Sequence, residues 1–145
     1  MDVLSTVIST IIASMIGMGT ALYVNKKSDS RIQEQSFNSQ LDHLIDISIE
    51  YPYLEEDGFC SNWTNNPIDE KYMRYDNYCC YVFNLLERIY VYFNGDKIKM
   101  GKVVYFEEYI HRHQKWFMSE PENSGGYSAE FNNFVKTFLD KGGDK

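Results

Sequence analysis

The sequence predicts an all-α protein in which one N-terminal transmembrane helix is followed by a small cytoplasmic four-helix domain. Three observations lead to this prediction. The chain begins with a long run without charged residues, its later apolar residues recur at intervals of three, four and seven, and no segment has the pattern of a β-strand. With 145 residues, the chain is long enough for one compact domain and too short for two.

The composition describes a folded and acidic protein. Hydrophobic residues make up 43% of the chain and charged residues 24%, which is ordinary for a globular domain and excludes a disordered chain. The formal net charge is −7, and Lys and Arg form no basic stripe. Because nucleic-acid binding depends on neutralising phosphates with Lys and Arg, we expect no nucleic-acid partner.

The run from Val3 to Val24 has the length and polarity of a transmembrane helix. As a helix it would be about 33 Å long, which is enough to cross the hydrocarbon core of a bilayer. A cleaved signal peptide has a basic start and a shorter apolar region, whereas this chain begins with Met1 and Asp2. A buried helix of a soluble protein is the alternative. We therefore expect residues 3–24 to have the lipid bilayer as their partner.

The charges on the two sides of this run predict its orientation. Asp2 precedes it, and Lys26, Lys27 and Arg31 follow it. By the positive-inside rule, the N-terminus then lies outside and the rest of the chain lies in the cytoplasm. The three cysteines, an odd number with two of them adjacent, suit a reducing compartment. The prediction is a single-pass membrane protein whose N-terminus lies outside and whose C-terminal domain is cytoplasmic.

Small and hydroxylated residues sort to one side of this predicted helix. At about 100° per residue, they fall on one half of the helical wheel and the large apolar residues fall on the other, with two exceptions: Gly19 on the bulky half and Ile16 on the small half. The small face consists of Ser5, Thr6, Ser9, Thr10, Ala13, Ser14, Gly17, Thr20 and Ala21. Small residues four apart let helices approach closely in lipid, and hydroxyl groups can bond across the contact. The pattern predicts a homo-oligomer. A hydroxyl-lined pore is a further prediction that depends on this assembly. The alternative is a monomeric anchor, in which the hydroxyl groups bond to carbonyls of their own helix.

The next segment, 25–65, is predicted to hold a juxtamembrane helix and a loop. Apolar residues at helical spacing continue to about Tyr51, and Pro52 ends the helix. In the loop that follows, Phe59, Cys60 and Trp63 are candidates for insertion into the core.

Residues 66–140 are predicted to form the helical core of the cytoplasmic domain, and residues 141–145 a frayed tail. One helix begins at Asn66-Pro67 and ends at Gly95. A second covers about residues 102–118, and a third about 128–140.

Two groups of polar residues are better explained by packing and solvation than by metal binding or catalysis. Cys79, Cys80, His111 and His113 lack the spacing of a metal site, since residues two apart on a helix point in different directions. The acidic residues at positions 42, 46 and 50 lie on one helical face and are typical of a solvated surface. We expect no metal and no cofactor.

A third grouping interrupts an apolar helix. Asn84, Glu87 and Arg88 lie at spacings that place them together, and His113 is within the reach of such a cluster. Because buried charges require partners, the pattern predicts a buried polar network that fixes the packing of the helices. A ligand pocket is the alternative. No pair of nucleophile and base can be identified, so we expect no enzymatic activity.

One N-terminal span with a hydroxyl-lined face, followed by a small cytoplasmic helical domain, resembles the single-span accessory proteins of type VI CRISPR systems. The resemblance is one of architecture and covers the whole chain. It implies homo-oligomerisation in the inner membrane, a pore and strengthened defence against phage. The family has been linked to helical ribonucleases, in which an Arg is followed one to two turns later by a His. Here Arg112 is followed directly by His113, so no catalytic residue is carried over.

The segment "YSAEFNNFV" also resembles the ends of membrane-anchored helical domains of uncharacterised function in bacteria. The sequence thus leaves three hypotheses. The first is a membrane-embedded homo-oligomer that forms a pore or perturbs the inner membrane as an accessory or effector in antiviral defence, with a protein partner for its cytoplasmic domain. The second is a scaffold or sensor that tethers a protein or small ligand to the membrane without a pore. The third is a helical ribonuclease.

Overall fold

The computed structural model describes residues 3–64, 68–119 and 121–139, and within these the side chains of all residues except 3–17, 19, 21, 121 and 122. The described part is all-helical, which confirms the predicted class. Its elements are α1 (Val3–Glu50), a 3-10 helix (Pro52–Glu55), α2 (Asp57–Asn62), α3 (Glu70–Tyr92), α4 (Lys97–Met100), α5 (Phe106–Arg112), α6 (Gln114–Ser119), α7 (Pro121–Gly125) and α8 (Ala129–Leu139).

The long first helix follows from the distribution of proline. The chain has three prolines, and the first of them is Pro52. Nothing before it removes a backbone donor, so α1 continues through the polar residues 25–31. Pro52 then opens the 3-10 helix at a position where a missing N–H costs nothing.

In the described part of the chain, no helix combines the length and the apolar character that crossing a membrane requires. The predicted span, residues 3–24, has most of its side chains outside that part.

The chain divides into two units. The first ends at Ser36, and α1 supplies its described backbone. The second begins at Phe37 and contains the last turns of α1 with all the later elements.

The second unit has one hydrophobic core, and α3 supplies the largest part of it. The buried side chains of α3 are Tyr75, Tyr78, Cys79, Val82, Phe83, Leu85, Leu86 and Ile89. Their spacing of three and four residues forms a wide apolar face. Aromatic rings from later helices pack on this face, and Phe83 lies 5.6 Å from Trp116 and 4.6 Å from Phe117 between ring centroids.

The short helices fill segments where the sequence predicts loops or one longer helix. The first core helix, α3, begins at Glu70, where Asp69 caps it by accepting a 2.8 Å hydrogen bond from the Lys71 N–H. The predicted start at Asn66-Pro67 lies outside the described residues. The helix predicted over 102–118 is divided into α5 and α6 at His113. The predicted four-helix count is therefore too low, while the last predicted helix agrees with α8. Cys60 and Trp63 are buried, as predicted.

The turn between α3 and α4 requires glycine. Asn94 and Gly95 have φ angles of 51° and 71°, in the left-handed region that side chains with a Cβ disfavour. The Gly95 N–H donates to the Tyr90 carbonyl over 2.9 Å, so the turn lies directly against α3. A Cβ on Gly95 would come within 2.9 Å of Cε2 of the Tyr90 ring.

Gly95→Ala should therefore lower the free energy of unfolding by about 1 to 2 kcal/mol, since it adds both backbone strain and a clash with Tyr90. Urea unfolding followed by circular dichroism measures the change. Gly58→Ala is the matched control, because Gly58 lies inside α2 with nothing within 4 Å of an added Cβ. That variant should be as stable as the parent or slightly more stable. Equal losses in both variants would show that the Gly95 turn is not strained.

Candidate functional site

The predicted small face of the first helix lies mostly outside the described side chains. Of its residues, Thr20 alone has a described side chain, and it is exposed. The others are Ser5, Thr6, Ser9, Thr10, Ala13, Ser14, Gly17 and Ala21. The use of this face in self-association stays a prediction.

The described end of the apolar run is exposed. Met18 is 61% exposed, Leu22 71%, Tyr23 66% and Val24 61%. These large side chains point in several directions around the helix. They therefore do not form a single apolar stripe that a protein core could cover. Such a concentration of exposed apolar surface marks an interaction site.

Basic residues follow directly. Lys26, Lys27 and Arg31 are all exposed on α1. The end of the apolar run is thus followed by a polar and positively charged stretch of the same helix, an arrangement that suits the boundary between hydrocarbon and an anionic lipid surface.

The polar cluster predicted around α3 is divided among three places. Asn84 is exposed, and Arg88 is exposed and donates a 2.7 Å hydrogen bond to Gln40 on α1. Glu87 accepts from the Ser128 N–H at 2.7 Å and from the Ser128 hydroxyl at 2.8 Å, so it fixes the start of α8. The expectation of one buried network does not hold for Asn84 and Arg88. The core covers the opposite face of α3, so positions 84 and 88 point to solvent.

His113 belongs to a different buried network. Its side chain is fully buried, with Nδ1 2.9 Å from the Tyr75 hydroxyl and Nε2 3.3 Å from Oε1 of Glu55. Glu55 also accepts hydrogen bonds from the Tyr78 hydroxyl and, at 2.6 Å, from Nη1 of Arg112. We call Glu55, Tyr75, Tyr78, Arg112 and His113 the Glu55 network. The sequence indicated only His113 of this group, because the others come from three different elements.

The Glu55 network holds its carboxylate in the charged form. Burial alone would raise the pKa of Glu55, but hydrogen bonds from His113, Tyr78 and Arg112 outweigh it and lower this pKa to about 2. Glu55 is therefore ionised at neutral pH and only accepts hydrogen bonds. Its neighbour His113 must carry a proton on Nε2 to bond with it.

The centre of the Glu55 network is closed to solvent. Tyr75 and His113 are both fully buried. Burial also raises the pKa of the nearby Cys60 and Cys79 thiols, which keeps them protonated and poorly nucleophilic. The network instead joins the 3-10 helix to α3 and to the end of α5. Its chemistry is that of a structural brace.

Within the described residues, no group of three or more His, Cys, Asp or Glu side chains is arranged to hold a metal ion. Comparison with models of protein families, with curated proteins and with solved structures gave no match for this chain.

Glu55→Gln should destabilise the second unit at neutral pH and much less in acid. The depressed pKa means that the ionised carboxylate contributes stability above about pH 4.5, which is lost as the pH falls toward about 2. A shift of this size corresponds to about 3 kcal/mol at pH 7. Urea unfolding at several pH values measures the difference between parent and variant.

Glu56→Gln is the control, since Glu56 is the exposed neighbour of Glu55. This variant should match the parent at every pH. A constant difference between Glu55→Gln and the parent from pH 7 to pH 2 would contradict the account, because it would show that the charge of Glu55 contributes nothing.

Proposed function

We propose that this chain is a membrane-anchored protein that self-associates through the first part of α1. One observation carries the proposal: a run without charged residues, Val3 to Val24, lies in a single helix, and the apolar side chains that are described within this run are exposed. Lipid is the solvent that stabilises such a helix in isolation.

The energetic argument compares water with lipid. Burying a large apolar side chain is worth about 1.5 to 3 kcal/mol, so leaving Met18, Leu22 and Val24 in water forgoes several kcal/mol. Insertion of the run into lipid recovers this energy. Because all backbone groups of a helix bond within the helix, insertion leaves no N–H or C=O without a partner.

Self-association is supported by the sorted helical wheel. In lipid no hydrophobic effect drives helices together, so close packing and hydrogen bonds between the helices determine whether they associate. The spacing of Ala13, Gly17 and Ala21 allows close approach of two backbones, and the hydroxyl groups beside them would bond across the contact or line a lumen. A pore in this proposal depends on the assembly being formed first.

The basic residues after the run favour an N-terminus outside the bacterial inner membrane and a second unit in the cytoplasm. Together with the resemblance to accessory proteins of type VI CRISPR systems, this supports a role as an accessory or effector that perturbs the membrane in antiviral defence.

A second candidate is a scaffold or sensor that does not form a pore. A surface groove of about 360 Å³ on the second unit, between Ile98 and Tyr105, favours it, because such a groove can receive a protein or a small ligand. In this version α1 is only a tether.

The mass of the purified protein particle in mild detergent distinguishes the self-associating membrane protein from the tethered scaffold. The parent should be an oligomer, and Gly17→Ile should reduce it to a monomer, since the added bulk prevents close approach of the helices. Light scattering coupled to gel filtration measures this after the bound detergent is subtracted.

Ile11→Leu is the matched control, because it changes an apolar residue on the opposite half of the wheel without altering volume or polarity. It should assemble like the parent. If the parent is a monomer, or if Gly17→Ile assembles as well as Ile11→Leu, the small face does not mediate self-association and the tether is favoured.

A further inference from the structure

The polar stretch of α1 that follows the apolar run carries a concentration of positive charge. Residues 3–33 contain three basic residues, Lys26, Lys27 and Arg31, and one acidic residue, Asp29. We call Lys26, Lys27 and Arg31 the basic segment. Its charge is opposite in sign to that of the whole chain, whose net charge is −7.

The chain itself does not neutralise the basic segment. All three side chains are exposed, and within the described residues none of them forms an ion pair or a side-chain hydrogen bond. Elsewhere the chain pairs such groups, since Arg74 is bonded to Glu70 and Arg112 to Glu55. The charges of the basic segment are therefore available to a negatively charged partner outside the chain.

The distance of the basic segment from the apolar run matches the headgroup layer of a bilayer. Because an α-helix rises about 1.5 Å per residue, the backbone of Lys26 lies about 3 Å beyond Val24 and that of Arg31 about 10 Å beyond it. The interfacial layer on each side of the hydrocarbon core is about 5 to 8 Å thick. The Cα–Cβ bonds of an α-helix tilt toward its N-terminus, so long basic side chains reach back toward the run. With the run in hydrocarbon, the three charges fall at the depth of lipid phosphates.

An aromatic residue lies at the same boundary. Tyr23 is 66% exposed, and Lys26 and Lys27 follow it by three and four residues, which places them beside it on the helix. A tyrosine with its ring toward acyl chains and its hydroxyl group toward headgroups is typical of a membrane interface. Leu22, on the other side of Tyr23, is 71% exposed. Apolar, aromatic and cationic side chains thus follow one another in the order in which a phospholipid presents acyl chain, interface and phosphate.

This order favours a phospholipid over other anionic partners. An acidic protein or a nucleic acid would satisfy the positive charges but would leave Leu22 and Val24 in water, and free phosphate has no acyl chain either. An anionic phospholipid covers the apolar side chains and neutralises the charges together.

We propose that the basic segment binds the headgroups of anionic phospholipid, with Tyr23 at the interface. The inference rests on the proposed function, because it requires that the run before the basic segment lies in the bilayer. It adds the kind of lipid that the chain selects. An apolar run alone does not distinguish membranes by their surface charge.

The test uses the full chain carrying Tyr23→Trp, reconstituted in vesicles of phosphatidylcholine with a minor, fixed share of phosphatidylglycerol. Either the phosphatidylglycerol or an equal share of the phosphatidylcholine has brominated acyl chains, so tryptophan quenching reports which lipid lies beside residue 23. Brominated phosphatidylglycerol should quench at least about twofold more than the same amount of brominated phosphatidylcholine, and high salt should reduce this preference. Trp63 and Trp116 are 2% and 1% exposed, and their quenching in the parent chain is subtracted as background.

Replacing all three residues of the basic segment by Gln in the same chain should abolish the preference, so that the two lipids quench equally. Exchanging Lys for Arg and Arg for Lys within the segment keeps the charge and should keep the preference. The matched control replaces Lys102, Lys115 and Lys136, three exposed lysines of the second unit, by Gln and should also keep it. A preference that survives the replacement of the basic segment, or that the matched control loses to the same degree, would overturn the proposal.

The same measurements separate this inference from the proposed function. Equal quenching by the two lipids in the chain carrying Tyr23→Trp keeps the run in the bilayer and overturns the inference. A preference for phosphatidylglycerol in a chain that is a monomer in detergent supports the inference and contradicts only self-association. Quenching by neither lipid overturns both, since residue 23 then has no contact with lipid.

Discussion

The second unit depends on the burial of one face of α3. Its side chains occupy the centre of a core to which α1, the 3-10 helix, α2, α4, α5, α6 and α8 all contribute residues. The core is unusually aromatic, and each ring buries a large apolar area while it fixes the orientation of its neighbours. The short helices that follow α3 have few internal hydrogen bonds of their own. Their positions therefore follow from the rings that they place against α3.

The polar groups of the unit are organised around the same helix. Where α3 meets the 3-10 helix and α5, the Glu55 network closes the core with a charged carboxylate, and its partners supply enough hydrogen bonds to offset the cost of burying it. On the exposed face of α3, Glu87 fixes the start of α8 through Ser128. The same helix thus positions both the apolar and the polar contacts of the unit.

The sequence predicted the helical class because apolar spacing of three and four is a local signal. It also predicted the course of α8 and the burial of Cys60 and Trp63. It failed at α4 and α2, since helices this short depend on one buried residue each, Met100 and Cys60, and not on periodicity. The Glu55 network could not be predicted, because Glu55, Tyr75 and His113 meet only through the tertiary fold. Residues of the predicted cluster on α3 have the right spacing to meet, but the direction of the core determines which of them are buried.

The two units have different relations to solvent. The second unit buries its large apolar side chains, while the described apolar residues of the first are exposed and follow a run without charge. The central claim is that this run is stabilised by lipid. Extraction of bacterial membranes with alkaline carbonate, after expression of the full chain, tests it most directly. The account predicts that the chain stays in the membrane pellet, and that Ile12→Arg, which places a charge in the middle of the run at a cost of about 3 kcal/mol, releases a large part of it. Complete release of the unaltered chain into the supernatant would contradict the account.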